Sequence, residues 1–99
     1  MLNIVLLCDY GASSGMLAKD IKNKAQNREI DCDVNAYSYS EIANVVDAAD
    51  IILLGPQIRF RLKTLQAKYP NKKFMVIDAR AYGTMDGDKV LNATLKEIE

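Results

Sequence analysis

Histidine is absent from this 99-residue sequence, and that absence removes several chemistries at once. No Cys–His dyad, no histidine metal ligand and no phosphohistidine of the chain's own can form. Cysteine is scarce: Cys8 and Cys32 alone cannot build a zinc site, and no metal is expected. Neither charge sign is in excess, since 13 Lys plus Arg balance 13 Asp plus Glu. That neutrality argues against nucleic acid and against a polybasic membrane patch as partner. The stretches Arg59-Phe60-Arg61 and Lys72-Lys73-Phe74 read as solvated faces rather than nucleic-acid readers. Long apolar runs are missing too: Ile4 to Leu7 and Ile51 to Leu54 are strand-sized, against the ~20 residues of a membrane span. The N-terminus has neither the basic region nor the small-residue cleavage site of a signal peptide. A cytoplasmic location is expected, and nothing calls for a cofactor.

What is present suits one soluble domain spanning 1–99. The apolar share is 49% and the charged share 26%, enough for one core and not for two. Leu2 to Leu7 reads as a strand, and Met16, Leu17, Ile21 and Ala25 recur at helical spacing. Cys32 to Tyr37 reads as a second strand, and Ile42, Val45, Val46 and Ala49 as a short helical face. Ser38 with Glu41 forms a capping-box pattern before that helix, although Ser40 offers an alternative cap. Ile51 to Leu54 is a third strand, apolar on both faces and so central. Gly55-Pro56 ends it, and Ile58, Leu62 and Leu65 mark a third helix. Phe74 to Ile77 is the fourth strand. Asp86 then caps a last helix carrying Val90, Leu91, Leu95 and Ile98.

The βαβαβαβα order predicts an α/β fold, a four-stranded parallel sheet with helices on both faces. With right-handed crossovers the favoured strand order is 2-1-3-4, which places the switch point between strands one and three. Three loops gather there: Cys8 to Met16, Gly55 to Gln57, and Asp78 to Gly83.

Cys8 stands at the end of strand one, followed by Asp9-Tyr10-Gly11-Ala12-Ser13-Ser14-Gly15-Met16. Gly11 and Gly15 allow backbone amides to turn inward, and Ser13 and Ser14 offer hydroxyls and an N-cap. A helix starting near Gly15 adds a positive dipole end. Together they form an anion cradle with a sulfur at its base, where the nucleophilic thiolate is favoured and aimed at phosphorus. A lone cysteine is ordinarily a buried apolar residue that ends a strand; the two Gly and two Ser that follow tip the balance. Cys32 begins strand two, at the opposite edge of the sheet. A six-residue strand spans ~20 Å, whereas disulfide Cα atoms lie within ~7 Å, so no dithiol mechanism is expected.

Low-molecular-weight tyrosine phosphatases resemble this βαβ start but carry a C-x5-R loop. Here the sixth position after Cys8 is Ser14, so the guanidinium that clamps a phosphoryl group is missing.

Three segments carry a further likeness. They are Ile4-Val5-Leu6-Leu7-Cys8 with Gly11, Ser13 and Ser14; Ile52 to Phe60, containing Leu54-Gly55-Pro56-Gln57; and Ile77 to Gly87, containing Met85-Asp86-Gly87. With them the chain resembles enzyme IIB of the lactose/cellobiose-type sugar phosphotransferase system, nearly end to end. The resemblance implies that Cys8 takes a phosphoryl group from a phosphohistidine of enzyme IIA. It implies delivery to a sugar, such as cellobiose or lactose, bound by the membrane permease enzyme IIC, with transient docking there. Family loops place two small residues after the cysteine and then Gly-Met-Ser-Thr-Ser. This chain has Asp9 and Tyr10 at the small positions, Ala12 for Met and Gly15 for the last Ser, so Asp9 adds a negative charge beside an anion site.

Secondary contributors are expected from Gly55, Pro56, Gln57 and Arg59, with Arg59 either steering the donor or solvated on its helix. Asp78, Tyr82 and Asp86 are expected to serve structure more than chemistry. A phosphatase of similar fold and a non-catalytic anion-binding domain are the alternative readings.

Overall fold

Two apolar stripes on each central strand determine how the chain folds. In a computed structural model, describing residues 1–9 and 12–99 without the side chains of Ala12 and Ser13, β1 (Leu2–Cys8) lies between β2 (Cys32–Ser38) and β3 (Ile51–Leu54). β4 (Lys73–Val76) completes a sheet of order β2-β1-β3-β4, with every neighbouring pair parallel. This is the expected topology. Successive side chains of a strand point to opposite faces, so Ile4 and Leu6 of β1 share one face with Ile51 and Leu53 of β3, while Val5 and Leu7 share the other with Ile52 and Leu54. All eight are buried. Full burial of each such side chain contributes roughly 1.5–3 kcal/mol.

Helices cover both faces. α1 (Ala12–Asn27) supplies Leu17, Ile21 and Ala25 to the first face, joined by α4 (Ala79–Gly83) through Ala81 and Tyr82 and by α5 (Gly87–Ile98) through Val90 and Leu91. The second face is covered by α2 (Ile42–Val45) through Ile42 and by α3 (Leu62–Lys68) through Leu65, with Ile58 from the intervening 3-10 turn. Among the described residues, no helix is long and apolar enough to cross a membrane.

Local structure departs from the sequence expectation in four places. α1 starts at Ala12, three residues before Gly15. The second helix is a 3-10 turn, Tyr39–Glu41, followed by a single α turn. The third is interrupted by non-helical backbone at Ile58, so a 3-10 stretch, Pro56–Arg61, precedes α3. The expected loop from Asp78 to Gly83 is mostly helical: Asp78 accepts from the Ala81 amide at 3.0 Å and starts α4.

The turn from α4 to α5 explains the Met-Asp-Gly triplet. The Asp86 amide donates to Ala81 O (2.9 Å) and the Met85 amide to Tyr82 O (3.2 Å), the two bonds of a Schellman cap, with Met85 left-handed at φ 54°. Asp86 then caps α5 by accepting from the Lys89 amide at 3.1 Å. Gly87 is pressed against α1, where its amide donates to Asp20 Oδ2 at 2.8 Å.

Candidate functional site

The carboxyl edge of β1 is where three strands deliver their ends. Cys8, the last residue of β1, is in register with Ser38 of β2 on one side. On the other side Leu7 pairs with Leu54, and the Gly55 amide donates to Leu7 O at 2.9 Å, which brings Gly55 beside Cys8. A Cβ built on Gly55 would lie 3.4 Å from Cys8 Cβ and 2.8 Å from Gln57 Oε1. The Gly55-Pro56-Gln57 turn therefore meets the cysteine across the switch point, as the topology required. Pleat alternation places Cys8 on the same face as Ile4 and Leu6, the face that α1 covers. Cys8 is 5% exposed.

The loop that follows is described in part. Asp9 is exposed. Tyr10 and Gly11, and the side chains of Ala12 and Ser13, lie outside the described residues, so the cradle expected of them is not described. Because α1 already begins at Ala12, Ser14 and Gly15 are helical residues and Ser14 is not an N-cap. A Cβ on Gly15 would meet nothing within 4 Å, so close packing does not call for glycine there. Met16 is 68% exposed. Because α1 starts at Ala12, only residues 9–11 separate Cys8 from a helix N-terminus in sequence, and such an end carries a partial positive charge.

Ser14 is 1% exposed, and its hydroxyl shares a hydrogen bond of 3.1 Å with the Tyr82 hydroxyl of α4. At the position where the phosphatase loop keeps arginine, this chain holds a small buried hydroxyl that is already partnered. Asp78 and Asp86 spend carboxylate oxygens on helix amides, Ala81 and Lys89 respectively.

Two arginines of the 3-10 turn are also engaged. Arg59 is exposed and its Nη1 donates to Pro56 O at 3.0 Å. The Arg61 guanidinium carbon lies 4.1 Å from the Tyr39 ring centroid and 5.0 Å from that of Phe60, while its Nε is buried without a hydrogen-bond partner. Phe60 is 70% exposed. The sequence reading put Arg61 on a solvated face with Arg59 and Phe60 and did not single out Tyr39, because a cation–aromatic contact between distant residues leaves no local periodicity; Arg61 is instead half-buried against Tyr39.

Cys32 lies where the sequence put it, paired with Leu2 at the opposite end of β1 from Cys8. Neither cysteine is in a disulfide. Burial pushes the Cys32 thiol up, and the Asp31 and Asp33 carboxylates push it the same way, so its thiolate is disfavoured. Among the described residues, no group of three or more His, Cys, Asp or Glu is arranged to hold a metal ion.

The family model described as "PTS system, Lactose/Cellobiose specific IIB subunit" matches residues 3–93. The chain is 33% identical over 97 residues to the oligo-beta-mannoside-specific EIIB component of Bacillus subtilis, covering 96% of this chain and 94% of that one. A solved cellobiose-specific phosphotransferase IIB component from Borrelia burgdorferi is 33% identical, with a TM-score of 0.80 over 98% of this chain and 91% of its own. The lactose-specific IIB domain of the Streptococcus pneumoniae phosphoenolpyruvate:carbohydrate phosphotransferase system superposes with a TM-score of 0.89 over 99% and 98% of the two chains; at 20% identity, that likeness shows the fold.

Proposed function

The chain belongs to the lactose/cellobiose-specific IIB subunit family of the phosphotransferase system, and from that premise we propose that it carries a phosphoryl group on the sulfur of Cys8. The donor is a phosphohistidine of enzyme IIA. The acceptor is a sugar, cellobiose, lactose or a related disaccharide, held by the membrane permease enzyme IIC, at whose cytoplasmic side the protein docks transiently. In the first step the Cys8 thiolate attacks phosphorus, the S–P bond forms and the donor N–P bond breaks. The nitrogen keeps the electron pair, and the imidazole leaves neutral when its other nitrogen carries a proton.

The observation that carries this reading is the position of Cys8 at the end of β1, between Ser38 and Gly55 at the switch point, with α1 starting at Ala12. Ligands of open parallel sheets bind there, and a helix N-terminus favours an anion. Histidine, which the donor must supply, is absent from this chain. Exposed Met16 and Phe60, from the segments flanking the site, suit a site approached by protein partners. The relatives named above are called after three different sugars, which fits a carrier whose sugar is chosen by the permease.

The test is phosphorylation by phosphorylated enzyme IIA, read by intact mass. Wild type and Cys32→Ser should each gain one phosphoryl group, and Cys8→Ser none. Label retained by Cys8→Ser, or lost from Cys32→Ser alone, would overturn the assignment.

A further inference from the structure

Resting on Cys8 as phosphoryl acceptor, we propose that the Gln57 carboxamide is a direct ligand of the phosphoryl group, and that residue 55 is glycine to give that carboxamide its place. The backbone at Gly55 has φ −58°, a value open to any residue. Space, not conformation, is what glycine provides. The point where its Cβ would stand is 2.8 Å from Gln57 Oε1 and 3.4 Å from Cys8 Cβ. The carboxamide thus folds back over the bare face of Gly55, and that same face lies against the cysteine. Any larger residue at 55 would drive the Gln57 head group out of this niche.

Three polar side chains of the surrounding segments are engaged elsewhere. Arg59 is bound to Pro56 O and Arg61 is stacked on Tyr39. Ser14, at the position of the phosphatase arginine, shares its hydrogen bond with Tyr82. Gln57 is exposed, and its carboxamide has no hydrogen-bond partner among the described residues. A primary amide has two N–H donors and one acceptor, and rotation about its last torsion presents either end. With the NH2 turned toward Cys8 it donates to an oxygen of the incoming phosphoryl group as the S–P bond forms. A neutral donor binds that dianion less tightly than a guanidinium fork does. It holds the group for transfer without the charge clamp that hydrolysis needs.

Two measurements on the whole chain test the contact. Gln57→Ala should slow phosphoryl uptake from phosphorylated enzyme IIA roughly tenfold, the loss of one hydrogen bond to a charged group. Gln57→Glu should slow it further by repulsion, and Gly55→Ala, with Gln57 intact, should resemble Gln57→Ala. Independently of any donor, the 15N side-chain amide resonance of Gln57 should shift on titration with inorganic phosphate. Unchanged uptake in Gln57→Ala, or an unmoved Gln57 resonance, overturns the proposal. If wild type takes no label from the donor while the resonance still moves, the carrier reading falls and the contact stands.

Discussion

Ser14 Oγ and Tyr82 Oη lie 3.1 Å apart, buried, and 68 residues distant in sequence. The bond ties the first turn of α1, just after the cysteine loop, to α4, which covers the same face of the sheet. A buried hydroxyl left without its partner costs about 1–3 kcal/mol. Tyr82→Phe and Ser14→Ala should each lower stability by about that much in denaturant unfolding. The double variant should lose less than the sum, because removing both hydroxyls leaves neither stranded. Phosphoryl transfer should persist in Tyr82→Phe. A Tyr82→Phe protein of unchanged stability that no longer transfers would show that the hydroxyl serves chemistry.

Gly87 and Asp20 form the second lock between distant elements. A Cβ at 87 would come within 2.9 Å of the Asp20 carbonyl carbon, a backbone atom that cannot swing aside. Gly87→Ala should therefore push α5 away from α1 and cost about 1–3 kcal/mol, as overpacking does. Asp20→Ala, which removes the acceptor of the Gly87 amide and the ion-pair partner of Lys24, should cost about 1 kcal/mol. A Gly87→Ala protein as stable as wild type would refute the close approach.

Most of the architecture was legible because it depends on local pattern. β1 and β3 are apolar on both faces, which marks central parallel strands, and the Asp86 cap stands immediately before an apolar helical stripe. Cys8 is singled out in the sequence by position, a strand end followed by Gly and Ser, and the structure has it as the last residue of β1. The start of α1 was misplaced because Gly15 looked like a boundary, whereas no close contact requires glycine there. α4 was missed because five residues, Ala79–Gly83, carry too little periodicity to register. The Ser14–Tyr82, Asp20–Gly87 and Arg61–Tyr39 contacts are tertiary, and nothing local announces them.

Glu29 ends α1 where glycine is usual. The Ile30 amide donates to Ala25 O (2.9 Å) and the Glu29 amide to Gln26 O (3.0 Å), a Schellman cap with Glu29 at φ 56°. Glu29 is exposed, so its side chain offsets little of the left-handed strain, about 1–2 kcal/mol for a residue with a Cβ. Glu29→Gly should raise the unfolding midpoint, by up to about 1 kcal/mol of stability once the entropy of the freer unfolded chain is counted. A lowered midpoint would contradict the cap.

Asp33 gives a test by pH. Lys22 Nζ donates to its Oδ1 and Asn35 Nδ2 to its Oδ2, each at 3.0 Å. The Lys22 hydrogen bond first, then that of Asn35, holds the Asp33 carboxyl below its ordinary 3.8. A value lowered by folding stabilises the folded state above 3.8, and that contribution is lost as pH falls through the folded value. NMR titration should place the Asp33 midpoint below 3.8, and Lys22→Ala should return it toward 3.8. An unchanged midpoint in Lys22→Ala would show that the pair is not formed in solution.

Carrier and phosphatase separate most directly in the lifetime of the phosphorylated protein. A hydrolase needs a charge clamp on the phosphoryl group, a base for water and an acid for the first leaving group. Arginine is missing at Ser14, whose hydroxyl is committed to Tyr82, and histidine is missing altogether. Asp78 and Asp86 are occupied as helix caps. Asp9, next to Cys8 in sequence, is exposed, and no histidine or arginine of the loop accompanies it. The phosphorylated protein should therefore persist at neutral pH far longer than one transfer takes, and return its phosphoryl group rapidly to added unphosphorylated enzyme IIA. Intact mass followed after removal of the donor measures both. Loss within seconds, with release of free phosphate, would favour the phosphatase reading, and its suppression in Asp9→Asn would identify the base.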